Sequence, residues 1–308
     1  LIVFVIIFSF GRIYSQQFFT IPDVNFANYL IGYAPSCMNG NVLDINCANN
    51  YPPYQILINN GISDITGAEY FTNCLSLSCT NSGLTFLPNL PPNLKQLNVE
   101  NNLLTQINNL PSQLELLNVQ GNQLTSIFAL PQSLKTLHCS GNQLTSLPLL
   151  PDSLLELSIA YNNFTELPIL PQHLSILDCQ GNDLSTINNL PNSLNVLLCQ
   201  DNQISNFNVS NTGLTYFDCS NNLIVNLNEL PTQLIDLRCN NNAIVKLPTL
   251  PSGLMWLFAN NNNIDSIFLP PSLLHVFATD NQIKFLNSFP PNASYIDLSN
   301  NLLQSIPT

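Results

Sequence analysis

The side chains best suited to bind another molecule occupy two positions, two residues apart, in successive segments near the C-terminal end. They are Tyr216, Asp218, Asp236, Arg238, Trp256, Phe258, His275, Phe277 and Tyr295. Tyr, Trp and Arg dominate the energetics of protein interfaces, so this set predicts a ligand-binding patch. The alternative is that the rings stabilise packing between neighbouring strands or meet a further domain.

Acid–base or nucleophilic chemistry has weak support in the sequence. Asp218 and Asp236 could act as the carboxylate pair of a glycosidase, but an open sheet has no cleft that excludes water, and we expect solvated surface acids. His138 adjoins Cys139, yet strand alternation sends neighbours to opposite faces. The sequence contains no P-loop, G-x-S-x-G, H-E-x-x-H or C-x-x-C motif. We therefore predict no enzymatic activity, no cofactor and no metal site.

A repeat of 20 residues positions these side chains. Its frame is Leu94-x-x-Leu97-x-Val99-x-x-Asn102-x-Leu104. The alternation at Leu97-x-Val99 has the period of a β-strand. The frame continues through Asn122, Asn142, Asn162, Asn182, Asn202, Asn222, Asn242 and Asn262, then shortens by one residue to Asn281 and resumes at Asn301. Cys74, Leu77, Cys79, Ser82 and Leu84 form an earlier rung, and Leu57, Asn60 and Ile62 form the first of about 13 rungs.

This frame predicts a right-handed solenoid with a parallel sheet on its concave face, little helix and an extended convex side. Each recurring Asn can satisfy backbone groups of adjacent turns, which produces a ladder of amides. The L-P-x-L-P segment, as at Leu147–Pro151, has the three-residue period of polyproline II. Because Pro lacks an N–H, we expect no sheet on the convex side.

Two segments precede the repeats. Residues 1–16 resemble a signal peptide without its basic start, since the apolar run LIVFVIIFSF is shorter than the roughly 20 residues of a membrane span. Residues 17–56 do not repeat, and we expect them to cap the solenoid, with Asp23 capping a short helix. The solenoid then occupies residues 57–308, and we expect the sequence to be truncated at both ends.

The composition excludes several classes of protein. The chain has 54 Leu and 48 Asn among 308 residues, while charged residues make up 8%. Six Lys and Arg residues and a net charge of −12 leave little with which to bind nucleic acid. The same charge opposes contact with anionic membranes, and we expect no membrane insertion.

The pattern L-P-x-L-P-x-x-L-x-x-L-x-V-x-x-N-x-L resembles the short, 20-residue bacterial class of leucine-rich repeat over residues 57–308. The head, with IPDVNFANYL and ISDITGAEYF, resembles secreted and surface proteins of the Bacteroidetes type. The resemblance implies export, to the cell surface or the medium.

Six of the nine cysteines share the second inward position of the strand. We interpret them as buried thiols that pack like small apolar side chains. They are Cys79, Cys139, Cys179, Cys199, Cys219 and Cys239. The sequence leaves open whether Cys37 and Cys47 form a disulfide.

Three functional hypotheses follow. The first is a non-enzymatic exported protein whose concave sheet binds a partner protein, in adhesion or host contact. The second, implied by similar repeats in enteric effectors, is a set of substrate-recognition repeats that serve a ubiquitin-ligase domain. The third is glycan binding, because aromatic platforms stack on sugar rings.

Overall fold

The computed structural model describes residues 17–52, 55–59 and 61–305. Its main feature is a parallel sheet of 13 strands, in which each strand pairs with those of the adjacent repeats. The strands are Gln55–Asn59, Ser76–Thr80, Gln96–Asn98, Leu116–Asn118, Thr136–His138, Glu156–Ser158, Ile176–Asp178, Val196–Leu198, Tyr216–Asp218, Asp236–Arg238, Trp256–Phe258, His275–Phe277 and Tyr295–Asp297. This parallel-strand solenoid with little helix confirms the predicted fold. The predicted signal peptide, Asn60 and residues 306–308 lie outside the described residues.

The strands pair in register, so equivalent residues of successive repeats lie side by side. Leu97 pairs with Leu77 on one side and with Leu117 on the other. Leu94, Leu97 and Val99 are fully buried, as the frame predicts. One continuous hydrophobic core therefore runs the length of the solenoid.

The first repeat departs from the predicted frame. Ile56 and Ile58 fill the core, whereas Leu57 is 50% exposed and pairs with Ser78, an outward residue. A shift of one residue in a strand moves every side chain to the other face. The assignment of Leu57 to an inward position is therefore wrong, although Ile62 is buried as predicted.

The Asn ladder is present and bonds backbone groups of two successive turns. Asn162 Oδ1 accepts a hydrogen bond from the Leu144 N–H at 2.9 Å. Its Nδ2 donates to the carbonyls of Cys139, Ile159 and Ala160 at 3.0 to 3.1 Å. Backbone groups inside a turn have no strand partner, and an unpaired buried group is costly. The ladder therefore fastens each turn to the one before it, as predicted.

The residue before each ladder position, which holds Ser82 in the second repeat and Asn in the later ones, adopts a left-handed conformation that the repeat frame did not predict. This conformation suits Gly, which lacks a Cβ, and Asn or Asp, which tolerate it. The residues are Asn81, Asn101, Gly121, Gly141, Tyr161, Gly181, Asp201, Asn221, Asn241, Asn261, Asp280 and Asn300. A second part of the Asn excess therefore comes from turn geometry.

Part of the convex side forms strands, contrary to the prediction. Thr186–Ile187 pairs with Asn206–Phe207, and Ser266–Ile267 pairs with Phe285–Leu286, both in parallel. These repeats carry Asn or Phe where others carry the first Pro of L-P-x-L-P. Their backbone N–H groups can bond to a neighbour, although Asn108 and Phe128 replace the same Pro without forming strands. The expectation of no convex sheet is wrong for these four repeats.

The N-terminal segment combines three short strands with two α-helices. The strands Phe18–Thr20, Met38–Asn39 and Val42–Asp44 form an antiparallel sheet. The α-helices are Val24–Tyr33 and Ile45–Asn50, and single 3-10 turns lie at Pro35–Cys37 and Ala68–Tyr70. Within the described part of the chain, none of the helices has the length and apolar character needed to cross a bilayer.

Asp23 caps the first helix, as predicted, and also ties it to the first repeat. Its Oδ1 accepts a hydrogen bond from the Phe26 N–H, while its Oδ2 accepts from the N–H and hydroxyl of Ser63. Phe26 and Leu30 are fully buried in the core that also contains Ile56. The helix therefore covers the inner side chains of the first strand.

The cysteines divide into one bonded pair and a set of buried thiols. Cys37 and Cys47 form a disulfide with Cα atoms 5.3 Å apart, which answers the question that the sequence left open. Burial raises the pKa of Cys139 and of Cys239 to about 12, so both are protonated and unreactive at neutral pH. The free thiols are Cys74, Cys79, Cys139, Cys179, Cys199, Cys219 and Cys239.

Candidate functional site

The nine predicted site residues stand on the outer face of the last five strands, and we call them the aromatic patch. In-register pairing arranges this face in two columns. The first column is Tyr216, Asp236, Trp256, His275 and Tyr295, and the second is Asp218, Arg238, Phe258, Phe277 and Asp297. The alternation of inward and outward residues thus brings the predicted residues together, and their role in binding stays a prediction.

Arg238 organises the first half of the aromatic patch. Its Nε and Nη2 donate hydrogen bonds to the two carboxylate oxygens of Asp236, each at 3.2 Å. Its guanidinium carbon lies 5.1 Å from the ring centroid of Tyr216 and 4.8 Å from that of Phe258, within cation–π range. The bond to Asp236 raises the pKa of Arg238. This side chain therefore links three neighbouring strands.

A stack of rings continues from Arg238 toward the C-terminal end. Phe258 and Phe277 stack at 5.0 Å with an interplanar angle of 5°, and Phe277 stacks on Tyr295 at 5.0 Å. Tyr295 is 49% exposed, whereas Phe258 and Phe277 are half-buried. The ring faces therefore contact each other within the patch, and Tyr295 at its end remains exposed.

Trp256 and His275 lie side by side in the first column. Both are half-buried. The Nδ1 atom of His275 is buried and makes no hydrogen bond within the described residues. A buried polar atom without a partner is uncommon in a folded protein, so this ring is a candidate contact for a ligand.

Asp218 differs from the predicted solvated acid. It is 9% exposed, and its Oδ1 accepts a hydrogen bond from the Ser220 N–H at 3.0 Å. Asp236 is paired with Arg238. Because Asp218 ends its strand and turns back onto its own backbone, the expectation of full solvation is wrong for this residue.

A third outward column, which we call the polar column, was missed by the sequence analysis. It lies two residues after the second column and includes Ser140, Gln180, Gln200 and Ser220. The signal was available, because alternation continued one step past the strand predicts it.

Side chains of the polar column connect neighbouring repeats. Ser140 Oγ lies 2.6 Å from Ser158 Oγ, which donates to Asp178 at 3.2 Å. Gln180 Nε2 donates to the same Asp178 oxygen, and Gln200 Nε2 donates to Gln180 Oε1 at 2.6 Å. A continuous polar network therefore crosses the middle of the sheet face.

The earlier repeats carry ion pairs instead of rings. Glu115 forms ion pairs with Lys95 at 3.3 Å and with Lys135 at 2.7 Å. Hydrogen bonds from these two lysines lower the pKa of its carboxyl group. His138 Nε2 lies 3.0 Å from Glu156, while the neighbouring Cys139 is buried. His138 and Cys139 thus point to opposite faces, as predicted. Within residues 17–52, 55–59 and 61–305, no three His, Cys, Asp or Glu side chains cluster as a metal site would require.

Comparison with known proteins shows which solved structures the chain resembles. No family model matches the chain, and no curated protein matches it. Among solved structures, it is similar to YopM from Yersinia enterocolitica, with 31% identity, a TM-score of 0.75 and coverage of 82% of this chain. The chain spans 61% of that protein.

Two further structures agree in fold. YopM from Yersinia pestis, described as a leucine-rich effector protein, is 29% identical, with a TM-score of 0.71 over 85% of this chain and 81% of its own. The functional domain of InlJ from Listeria monocytogenes, which includes a cysteine ladder, is 23% identical, with a TM-score of 0.75 over 94% of this chain and 73% of its own. The 20-residue period of the chain and the parallel-strand solenoid, which these structures share with it, show the leucine-rich repeat fold and support a bacterial leucine-rich repeat protein.

Proposed function

We propose that this chain is a non-enzymatic binding protein that contacts a partner protein through its aromatic patch. The observation that carries the proposal is the presence of Tyr216, Arg238 and Trp256 on three adjacent strands of one sheet. These are the residue types that supply most of the binding energy at protein interfaces. Leucine-rich repeat proteins typically serve as protein-interaction modules, which supports the same assignment.

The accessible part of the patch supports binding in addition to internal packing. Tyr295 is 49% exposed, and Phe258 and Phe277 are half-buried on the same face. Exposed apolar groups that cluster on one face commonly mark an interaction site. Since the ring stack and the Arg238 pair already order these side chains, binding costs little additional side-chain entropy.

We further propose that the protein is exported and acts at the cell surface or in the medium, in adhesion or host contact. The Cys37–Cys47 disulfide supports this location, because disulfides persist in oxidising compartments. The apolar run at residues 1–10 is typical of a signal peptide.

A second candidate function is that of an effector. The likeness to the Yersinia pestis YopM, a leucine-rich effector protein, favours it. In that case, the repeats recognise a substrate for a ubiquitin-ligase domain elsewhere in the protein. The redox state of Cys37 and Cys47 in protein isolated from its natural source separates the two, because the reducing cytosol of a host cell opens disulfides.

The proposed function is tested by comparing two arrays of possible ligands. The full chain is applied to an array of purified surface proteins and to a glycan array, beside a Tyr216→Ala, Trp256→Ala double variant. We expect protein ligands whose signal is lost in the double variant. If the chain binds glycans and no protein, the partner is a sugar and not a protein. If ligands bind the double variant as strongly as the natural chain, the binding site lies outside the patch.

A further inference from the structure

Two buried polar atoms lie without a partner where the polar column meets the aromatic patch. Ser220 is 8% exposed, and its Oγ makes no hydrogen bond within the described residues. The buried Oε1 of Gln200 also lacks a partner there. Backbone hydrogen bonds from Cys199 to Asp218 and from Asp201 to Ser220 place these repeats side by side. The polar network that begins at Ser140 therefore ends in two unused acceptors.

These acceptors lie beside a carboxylate. Asp218 precedes Ser220 by two residues and pairs with Leu198 in the sheet, two residues before Gln200. A Gln Oε1 can only accept, a carboxylate can only accept, and a hydroxyl can accept as well. The group that completes this site is therefore a hydrogen-bond donor, and the negative charge of Asp218 favours a cationic one.

The charges of the sheet face also favour a cationic ligand group. Ion pairs among the described residues engage Glu115 and Asp236, and Glu156 lies within hydrogen-bond distance of His138. Asp178, Asp218 and Asp297 instead accept hydrogen bonds from neutral groups of the chain, and Asp218 also pairs in the sheet with Arg238. The net charge of the protein is −12, and Arg238, the cation of the patch, is held by Asp236. Such a face attracts a basic surface and repels an acidic one.

From this arrangement, and resting on the function proposed above, we infer that the partner is a basic protein surface. One of its Lys or Arg side chains binds where Gln200, Asp218 and Ser220 meet, and Asp178 and Asp297 contribute further attraction. An apolar side chain next to that cation contacts the aromatic patch, which begins at Tyr216 on the same strand as Asp218.

The inference is tested with a random peptide library displayed on phage, selected against the full chain. The test variant combines Asp178→Asn, Asp218→Asn and Asp297→Asn. Asn fits these positions, because Asn98 and Asn118 occupy the same column and accept the equivalent backbone hydrogen bonds. The control combines Asp152→Asn, Glu166→Gln and Glu229→Gln, which make the same change in net charge on connecting segments away from the strands.

We expect the selected peptides to be enriched in Lys and Arg over Asp and Glu. Their affinity should fall about tenfold in the test variant and change less than about twofold in the control. Ser220→Ala should weaken the same peptides about threefold or more without loss of stability, since it removes an unpaired buried hydroxyl and Ala160 occupies the equivalent position.

The contrary outcomes separate the inference from the proposed function. Peptides that require Tyr216 and Trp256 but show no basic enrichment, or bind equally well to the test variant, would overturn the basic partner and leave the binding patch in place. Unchanged affinity in Ser220→Ala would overturn the position assigned to the cation. Failure to obtain any peptide that requires Tyr216 and Trp256 would overturn both proposals.

Discussion

Arg238 donates two hydrogen bonds to Asp236, two residues earlier on the same strand, and both are 3.2 Å long. This pair holds the guanidinium between the rings of Tyr216 and Phe258. Arg238 therefore stabilises the sheet face as well as being a candidate for partner contact. The two roles make different predictions for stability and for binding.

Arg238→Lys should lower the free energy of unfolding by about 1 kcal/mol. An ammonium group cannot form the two-point bond to Asp236 and stacks less well on the rings. Urea unfolding followed by circular dichroism measures the change. Lys284→Arg, at an exposed position on the convex side, is the control and should leave the midpoint in place. An unchanged midpoint in Arg238→Lys would contradict the structural role.

The double variant Tyr216→Ala, Trp256→Ala should abolish most partner binding while lowering the melting temperature by less than about 4 °C. Both side chains are half-buried on the outer face, and the core beneath them is formed by Phe217 and Leu257, which remain. Calorimetry and a binding titration on the same preparation check the result. A large loss of melting temperature would assign these rings to packing.

Asn162→Ala should destabilise the solenoid by about 3 kcal/mol. The change leaves the Leu144 N–H without its partner in a buried turn and removes one of the two side-chain hydrogen bonds that each of the carbonyls of Cys139 and Ile159 accepts. Asn163→Ala is a matched control, because Asn163 is exposed and its hydrogen bond to Leu144 comes from its backbone. Equal denaturation midpoints for the two variants would refute the role given to the ladder.

Stability should decline in alkaline solution because of the buried thiols. Burial raises the pKa of Cys139 from 9.0 to about 12. Below pH 9 the thiol is protonated in both states, so its contribution is fully present. Between pH 9 and 12 the unfolded chain releases this proton and the folded chain does not, which favours unfolding by up to about 1.4 kcal/mol per pH unit.

Cys139→Val removes this pH-dependent contribution to the free energy of unfolding. Val fits the position, because the buried Val99 and Val119 occupy it in other repeats. The variant should therefore lose less stability than the natural chain between pH 8.5 and pH 11, as measured by urea midpoints. Parallel curves for the two proteins would show that Cys139 does not contribute.

Tyr161→Asn should raise the free energy of unfolding by about 0.5 to 1 kcal/mol. Tyr161 has φ 52°, a left-handed conformation that Asn tolerates better. Asn101 and Asn221 already adopt it at the equivalent positions. The ring of Tyr161 is 57% exposed, so little packing is lost. A decrease in stability would indicate that its contact with Gln180 outweighs the backbone strain.

Most of the scaffold could be predicted from the sequence because the same spacing of inward residues occurs in many successive repeats. The spacing of Leu97, Val99 and Asn102 recurs through the chain, and a period of two residues has a single meaning for which side chains face inward. The columns of the aromatic patch follow from the same alternation, since in-register stacking brings equivalent positions together.

Departures from the repeat were harder to predict. The first strand is shifted by one residue relative to the predicted frame, so that Leu57 faces outward. This shift could not be predicted, because the segment lacks the full repeat frame that defines the register elsewhere. The convex strands at Thr186–Ile187 and Asn206–Phe207 form where Pro is absent from two successive repeats. Pro is also absent at Asn108 and Phe128, where no strands form, so the sequence pattern alone does not predict this pairing. The Cys37–Cys47 disulfide depends on the approach of two elements of the N-terminal segment.

The sequence by itself determined the period, the inward Leu and Asn columns and the identities of the outward side chains. The tertiary structure decided how those outward side chains contact each other. Arg238 lies between two rings, Phe258 stacks on Phe277, and the buried Asp218 lies beside Ser220, whose hydroxyl has no partner among the described residues. The physical reason is that inward positions experience the same core in every repeat. Outward positions are set by rotamers and by neighbours about 4.8 Å away that differ from one repeat to the next.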